Sequence, residues 1–205
     1  QLMSLKKNKY KVIKNCLSKE LIDFLFHYFQ NKRRVAKILF DSKYISPYNE
    51  DHGVWNDPQA LGTFSLYGDT TFDTILEGLK YKIEKSVGHN LCPTYSYARL
   101  YKKGDILQKH TDRNSCEISC TLNLGGDKKW PIYYKPTNKK TIKVTLSSGD
   151  LLLYYGKNEH WREPFNGEIC GQVFLHYNDG RDKKALKNIY DGRQYPGLPS
   201  WFKKD

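Results

Sequence analysis

The chain has 205 residues, enough for one large domain or two small ones, and a core of that size buries roughly 70% of the unfolded surface without help from a metal. Lys and Arg number 34 against 22 acids, giving +12, which favours acidic partners or nucleic acid but is read most simply as a basic solvated surface. No signal peptide, glycosylation sequon or apolar run of membrane-spanning length appears. The cysteines (16, 92, 116, 120 and 170) are odd in number and form no Cys-x-x-Cys, so the expected setting is cytoplasmic or otherwise intracellular, reducing and away from membranes.

Residues 4–17 are polar and lysine-rich, with Tyr10, Val12 and Ile13 hinting at an early strand. Ser18 is suited to cap a helix whose apolar stripe is Leu21, Leu25, Tyr28 and Phe29, widened by Ile22 and Phe26. The cations at 32–34 suggest its end. From Phe40 to Gly68 there is little periodicity, and a loop of that length is a lid or a mobile segment. His52, Trp55 and Tyr67 lie in it as candidate substrate contacts, with packing beneath the loop as their simpler role. Thr70 or Thr71 is expected to cap a second helix with Phe72, Ile75, Leu76, Leu79, Ile83 and Val87 on one face, closed by Gly88.

After Pro93 the period becomes two. Eight strands are predicted, at about 94–101, 106–112, 117–124, 131–135, 140–146, 150–155, 160–163 and 171–177, separated by turns such as Lys103-Gly104-Asp105 and Ser148-Gly149-Asp150. Eight short strands suit a jelly roll with a cavity between its sheets. The fold expected is therefore mainly β with flanking helices (α+β), the N-terminal helices packed on the major sheet. Residues 1–93 provide helical support and the long loop, 94–177 the β core, and 178–205 a basic extension, all within a single domain.

Alternation along these strands gathers a distinctive set of side chains. Tyr97, Arg99 and Tyr101 share one face of the first strand, with Ala98 and Leu100 toward the helices. Gln108, His110 and Asp112 share the inward side of the second. His160 and Arg162 share a side of the seventh, opposite Trp161. Bare charges in a cleft are costly unless paired or bound, and a cation together with an anionic ligand would answer that cost. His-x-Asp alone is usually a hydrogen-bonded surface pair. With His160 following 50 residues later and a jelly-roll pattern around both, a metal site of two imidazoles and one carboxylate becomes the better reading, a donor set suited to non-haem Fe(II).

The segment 94–177 resembles the double-stranded β-helix of Fe(II)/2-oxoglutarate dioxygenases, and within them the prolyl 4-hydroxylase group. The resemblance rests on Leu100-Tyr101 before a glycine turn, His110-Thr111-Asp112, the run 148–155, His160, and the final strand 172–177. It implies that His110, Asp112 and His160 hold Fe(II) and carry catalysis. Tyr101 would hydrogen-bond 2-oxoglutarate, O2 would be the oxidant, succinate and CO2 the products, and ascorbate an auxiliary reductant. The family's usual Lys or Arg for the far carboxylate falls here on Cys170, which cannot make that charge-assisted contact. Arg162 is the leading replacement and Arg99 the second, with a salt bridge to Glu163 or Glu159 as the alternative role for Arg162.

Trp55, Tyr97 and Arg113 are candidate substrate contacts. His176 is a core or supporting group, and Cys116 and Cys120 are small core residues. The tail from 181 carries seven Lys or Arg against three Asp, with Tyr190, Tyr195 and Trp201 among them. It is expected to pack its aromatics on the body, with a grip on single-stranded nucleic acid as the alternative. The implied activity is hydroxylation of a peptidyl side chain, proline foremost, with a peptide or protein partner. Oxidative modification of nucleic acid, hydroxylation of a small molecule, and a non-catalytic jelly-roll binding module stay open, and oligomeric state is not readable.

Overall fold

The computed structural model describes residues 5–203. The helices are α1 (Leu5–Asn8), α2 (Lys19–Asp41) and α3 (Thr70–Val87). The strands are β1 (Tyr10–Ile13), β2 (Phe64–Tyr67), β3 (Leu91–Tyr101), β4 (Leu107–His110), β5 (Ile118–Gly126), β6 (Ile132–Lys135), β7 (Ile142–Val144), β8 (Leu151–Tyr155), β9 (Glu159–Arg162) and β10 (Cys170–Asp179). They form a six-stranded sheet in the order β1-β8-β5-β10-β3-β2 and a four-stranded sheet in the order β4-β9-β6-β7, every pairing antiparallel. This is the expected jelly roll with helices on its major sheet, and all eight strands predicted after Pro93 are present.

The larger sheet is covered on both faces, and its strands divide their side chains by alternation. Ala98, Leu100, Cys120, Leu122, Leu124, Leu151, Leu153, Val173 and Leu175 join Ile22, Leu25 and Phe29 of α2 and Phe72, Leu76 and Ile83 of α3 in the main core. The opposite face points between the sheets and carries the polar set. Burial of this apolar layer, at roughly 25 cal/mol per Å², drives the assembly.

Several local expectations are corrected. The helix capped by Ser18, whose Oγ accepts from Leu21 N at 3.3 Å, does not end at the cations but runs on to Asp41. No Gly or Pro interrupts it, Arg34 lies in water, and Ala36 extends the buried stripe. The second helix is capped by Asp69 rather than a threonine: Oδ1 accepts from Thr71 N at 3.0 Å and Phe72 N at 3.3 Å. Gly88 closes it at φ +87°, as expected. Within the supposed loop, residues 64–67 form β2, paired with β3 from Phe64↔Leu100 to Tyr67↔Tyr97. Phe64, Ser65 and Leu66 of β2 are all buried, so both its faces are covered and no polar face marks it as a strand.

Gln108 is exposed rather than inward. Between Leu107↔Arg162 and His110↔His160 the β4–β9 ladder is irregular, three residues on one strand spanning two on the other. Such a bulge breaks simple alternation. The tail also departs from expectation: Tyr195 and Trp201 stay 69% and 62% exposed, whereas Arg193 is fully buried.

Candidate active site

His110 on β4 lies directly opposite His160 on β9, their ring centroids 4.3 Å apart. Asp112 follows β4, its N–H donating to Gly156 O at 2.7 Å. A Cβ at Gly156 would come within 2.8 Å of Asp112 Oδ2, so glycine permits this close approach. Asp112 Oδ1 stands 3.4 Å from Nε2 of both histidines. Each Nδ1 faces a backbone carbonyl, Gln108 O at 2.7 Å for His110 and Asn158 O at 3.0 Å for His160. A carbonyl only accepts, so each Nδ1 bears the proton and each Nε2 lone pair turns toward the shared space. One ligand atom from each of the three residues lies within 4.8 Å of the others. Two nitrogens and one carboxylate oxygen converging from one side match a non-haem iron centre with open positions.

Burial resists a charge on Asp112, but the adjacent His110 and His160 imidazoles outweigh it and hold the carboxyl far below its usual range. Burial likewise resists a charge on His110, and Asp112 more than offsets that, raising the imidazole. The other carboxylate oxygen is anchored within the protein: Ser119 Oγ lies 3.0 Å from Asp112 Oδ2 and 3.0 Å from His176 Nδ1. Ser119 has one proton for two acceptors, Asp112 Oδ2 and Cys116 O at 2.9 Å; with the proton toward Asp112, a chain runs from His176 Nδ1–H through Ser119 Oγ to Oδ2. Burial pushes His176 down to about 4, consistent with a neutral ring.

The cluster lies in a cavity of about 1030 Å³ whose walls include Tyr67, Tyr95, Tyr97, Arg99 and Arg113. Tyr97 faces it, its hydroxyl donating to Asp57 Oδ2 at 2.5 Å. Arg113 is at the rim, but its guanidinium is held by Asp191, Nη1 to Oδ1 at 3.1 Å and Nη2 to Oδ2 at 2.9 Å. Trp55 does not line this cavity: it packs on Phe64 at 4.9 Å and Phe40 at 6.2 Å between centroids. Cys120 sits in the core, while Cys116 borders the cavity 3.1 Å from the Tyr95 hydroxyl.

The two candidate anchors differ in their partners. Arg99 is spoken for, its Nη2 lying 2.5 Å from Asp57 Oδ2 and 2.9 Å from Gln59 Oε1, and Asp57 contributes to raising its pKa against burial. Arg162 is 2% exposed and makes no ion pair among the described residues, so no bridge to Glu159 or Glu163 forms. Nη1 donates to Trp130 O at 2.5 Å and Nη2 to Gln172 Oε1 at 3.2 Å, while Nε has no partner among the described residues. Burial pulls its pKa down, with Cys170 and Tyr101 nearby. A buried cation without a carboxylate is costly, and an anion would relieve it. Tyr101 is fully buried, edge-on to Trp130 at 4.7 Å, its hydroxyl 3.5 Å from Arg99 Nη1. Arg99 lines the cavity beside the triad, whereas Arg162 and Tyr101 are not among its wall residues; the donor set at the triad fits a metal, and the unpaired Arg162 behind the wall fits an anion.

Asp57, Ser119 and Asp191 escaped the sequence reading. Ser119 had a signal, since Ser119, Thr121 and Asn123 alternate with apolar residues along β5, marking a polar face turned inward. Asp57 and Asp191 lie in irregular segments where no periodicity reports direction.

No protein-family model matches the sequence, and a search of curated proteins finds no match. Solved structures do match. A prolyl-4-hydroxylase from Pseudomonas putida superposes with a TM-score of 0.61 at 14% identity, covering 87% of this chain and 97% of that one. A prolyl hydroxylase from Trichoplax adhaerens, in complex with a hypoxia inducible factor oxygen degradation domain peptide fragment, gives 0.60 at 17% identity over 88% of each chain. The alpha ketoglutarate dependent epimerase SnoN from nogalamycin biosynthesis gives 0.63 at 13%, covering 87% and 81%. At such identities the likeness shows the fold: this chain shares the fold of these proteins.

Proposed function

We propose that the protein is an Fe(II)/2-oxoglutarate-dependent dioxygenase that hydroxylates a peptidyl side chain, with proline the substrate residue. The observation that carries this is the convergence of His110, Asp112 and His160 within 4.8 Å at the base of a cavity. These three would hold Fe(II). Arg162 would take the far carboxylate of 2-oxoglutarate, with Tyr101 beside it. When bound, iron and 2-oxoglutarate supply oxidative decarboxylation of the co-substrate coupled to hydroxylation by O2.

The remaining work belongs to the chain. Gln108 O and Asn158 O fix the tautomers that keep both Nε2 atoms free. Ser119 ties up one oxygen of Asp112 and leaves the other for coordination. Tyr67, Tyr95 and Tyr97 direct their hydroxyls to Asp191, Cys116 and Asp57, leaving rings at the cavity wall for an apolar substrate group. The walls carry Glu50, Asp51, Asp57 and Asp69 against Lys32, Arg99 and Arg113. The +12 of the whole chain is therefore not focused at the cavity, which favours a peptide over a polyanion.

The test is succinate release with Fe(II) and 2-oxoglutarate, screened over proline-containing peptides, oligonucleotides and free amino acids. Hydroxyproline formation supports the proposal. Turnover on oligonucleotides alone removes the prolyl assignment, and succinate formation by Asp112→Ala removes the assignment of the centre.

A further inference from the structure

A second concavity, of about 420 Å³, lies beside the catalytic cavity on the C-terminal end of α2 and the segment that follows it. Phe40, Pro47, Tyr48 and Trp55 line it, and Glu50, Val54 and Asn56 line both spaces, so the two are continuous. Tyr48 is 89% exposed and Phe40 44% exposed, an investment of aromatic surface in water that packing does not explain. The floor is firm. Trp55 rests on Phe64, and Val54 exchanges two 2.9 Å backbone bonds with Ser65 of β2. Gly53, at φ +101°, brings its backbone so near Phe64 that any side chain would collide. Lys37 and Asp41 on the wall pair with each other at 2.7 Å, which leaves Glu50 as the remaining charged group of the lining.

We propose that this groove is a docking site for the part of a polypeptide substrate that flanks the reacting residue, in an extended, proline-containing conformation. The inference rests on the reading of the centre as a prolyl hydroxylase and adds where the rest of the peptide goes. An apolar, aromatic-walled groove suits a polyproline-type segment, which arrives already ordered and needs no charged partner. Continuity through Val54 and Asn56 lets one chain occupy both spaces. Walls whose remaining charge is the carboxylate of Glu50 argue against a nucleic-acid strand, which needs cations along its path.

The experiment measures binding without turnover. A proline decamer is titrated into iron-free protein and followed by tryptophan fluorescence, with a Gly-Ser decamer as control. Saturable binding of the proline decamer only is expected. Tyr48→Ala should weaken it about tenfold or more, as loss of an aromatic anchor does, and Tyr48→Phe should restore it. Tyr48 is too exposed to endanger folding, and Tyr81→Ala, an equally superficial change on α3, should leave binding as it was. Asp112→Ala should still bind the decamer, which separates the groove from the centre: a failed hydroxylation assay with intact decamer binding would indict the prolyl assignment alone. No saturable binding by the wild type, identical affinity of Tyr48→Ala, or displacement by an oligothymidylate would each overturn the groove.

Discussion

Ser119 holds Asp112 by one oxygen only: its hydroxyl lies 3.0 Å from Oδ2, while Oδ1 stands 3.4 Å from both imidazole nitrogens. The division makes the carboxylate a single-oxygen donor with fixed direction. Supporting groups of this kind typically change metal affinity about 10- to 100-fold. Ser119→Ala should therefore weaken Fe(II) or Mn(II) binding by that factor in an anaerobic titration, while Asp112→Ala abolishes it. Equal affinity of Ser119→Ala and wild type would show that the contact is incidental.

Arg162 should set the affinity for 2-oxoglutarate. A charge-assisted hydrogen bond contributes about 1.5–3 kcal/mol, so Arg162→Met should raise the dissociation constant of the co-substrate about 10- to 100-fold. Arg99→Gln should act less, because Asp57 already occupies that guanidinium. Equilibrium binding without turnover measures both. A larger loss from Arg99→Gln would move the anchor to β3.

Acid should loosen the tail before the jelly roll itself. Burial resists ionisation of Asp191, yet Arg113 and Tyr67 outweigh it and bring the carboxyl down to about 2. The folded value lies below the ordinary carboxylate value of about 3.9, so the stabilisation is complete above about pH 5 and fades as the pH falls through 4 and 2 toward about 1. Asp191→Asn should melt below wild type at pH 6, and the gap should narrow clearly by pH 2.5 and close near pH 1. An unchanged gap across that range would refute the linkage.

Strands and the triad were legible because both rest on period-two alternation, which the chain displays from Pro93 onward. His160, Arg162 and Trp161 took their predicted faces because β9 is regular there; Gln108 did not, because the β4–β9 bulge inserts one residue without a mark in the sequence. β2 was hidden because it is buried on both faces and sits in a long aperiodic stretch. The partners of the site, Asp57 for Arg99 and Asp191 for Arg113, lie 42 and 78 residues away in irregular backbone. Such pairings are fixed by how loops close over a finished core, a property no local pattern carries. Arg193 shows the same limit, since its burial depends on Asp73, 120 residues earlier.

That last pair also gives the sharpest stability prediction. Arg193 and Asp73 are both fully buried, Nη2 to Oδ2 at 2.9 Å. Arg193 further donates to Tyr190 O at 2.7 Å, Leu198 O at 2.6 Å and Thr94 O at 3.3 Å, tying the tail to β3. Asp73 in turn accepts from Ser96 N, Ser96 Oγ and Gly197 N. Removing one member of a buried pair strands the other charge and costs about 3–5 kcal/mol. Arg193→Met should therefore lower unfolding free energy by that amount in urea titrations, and Asp73→Asn by a similar amount. The double variant should lose less than the two singles combined, because the second change removes a charge already left unpaired. Because Pro199 and Trp201 of the same tail border the catalytic cavity, Arg193→Met should also raise the KM for peptide at temperatures where the fold persists. A loss below about 1 kcal/mol, the range of an exposed pair, would show that the tail is not locked to β3 by this contact.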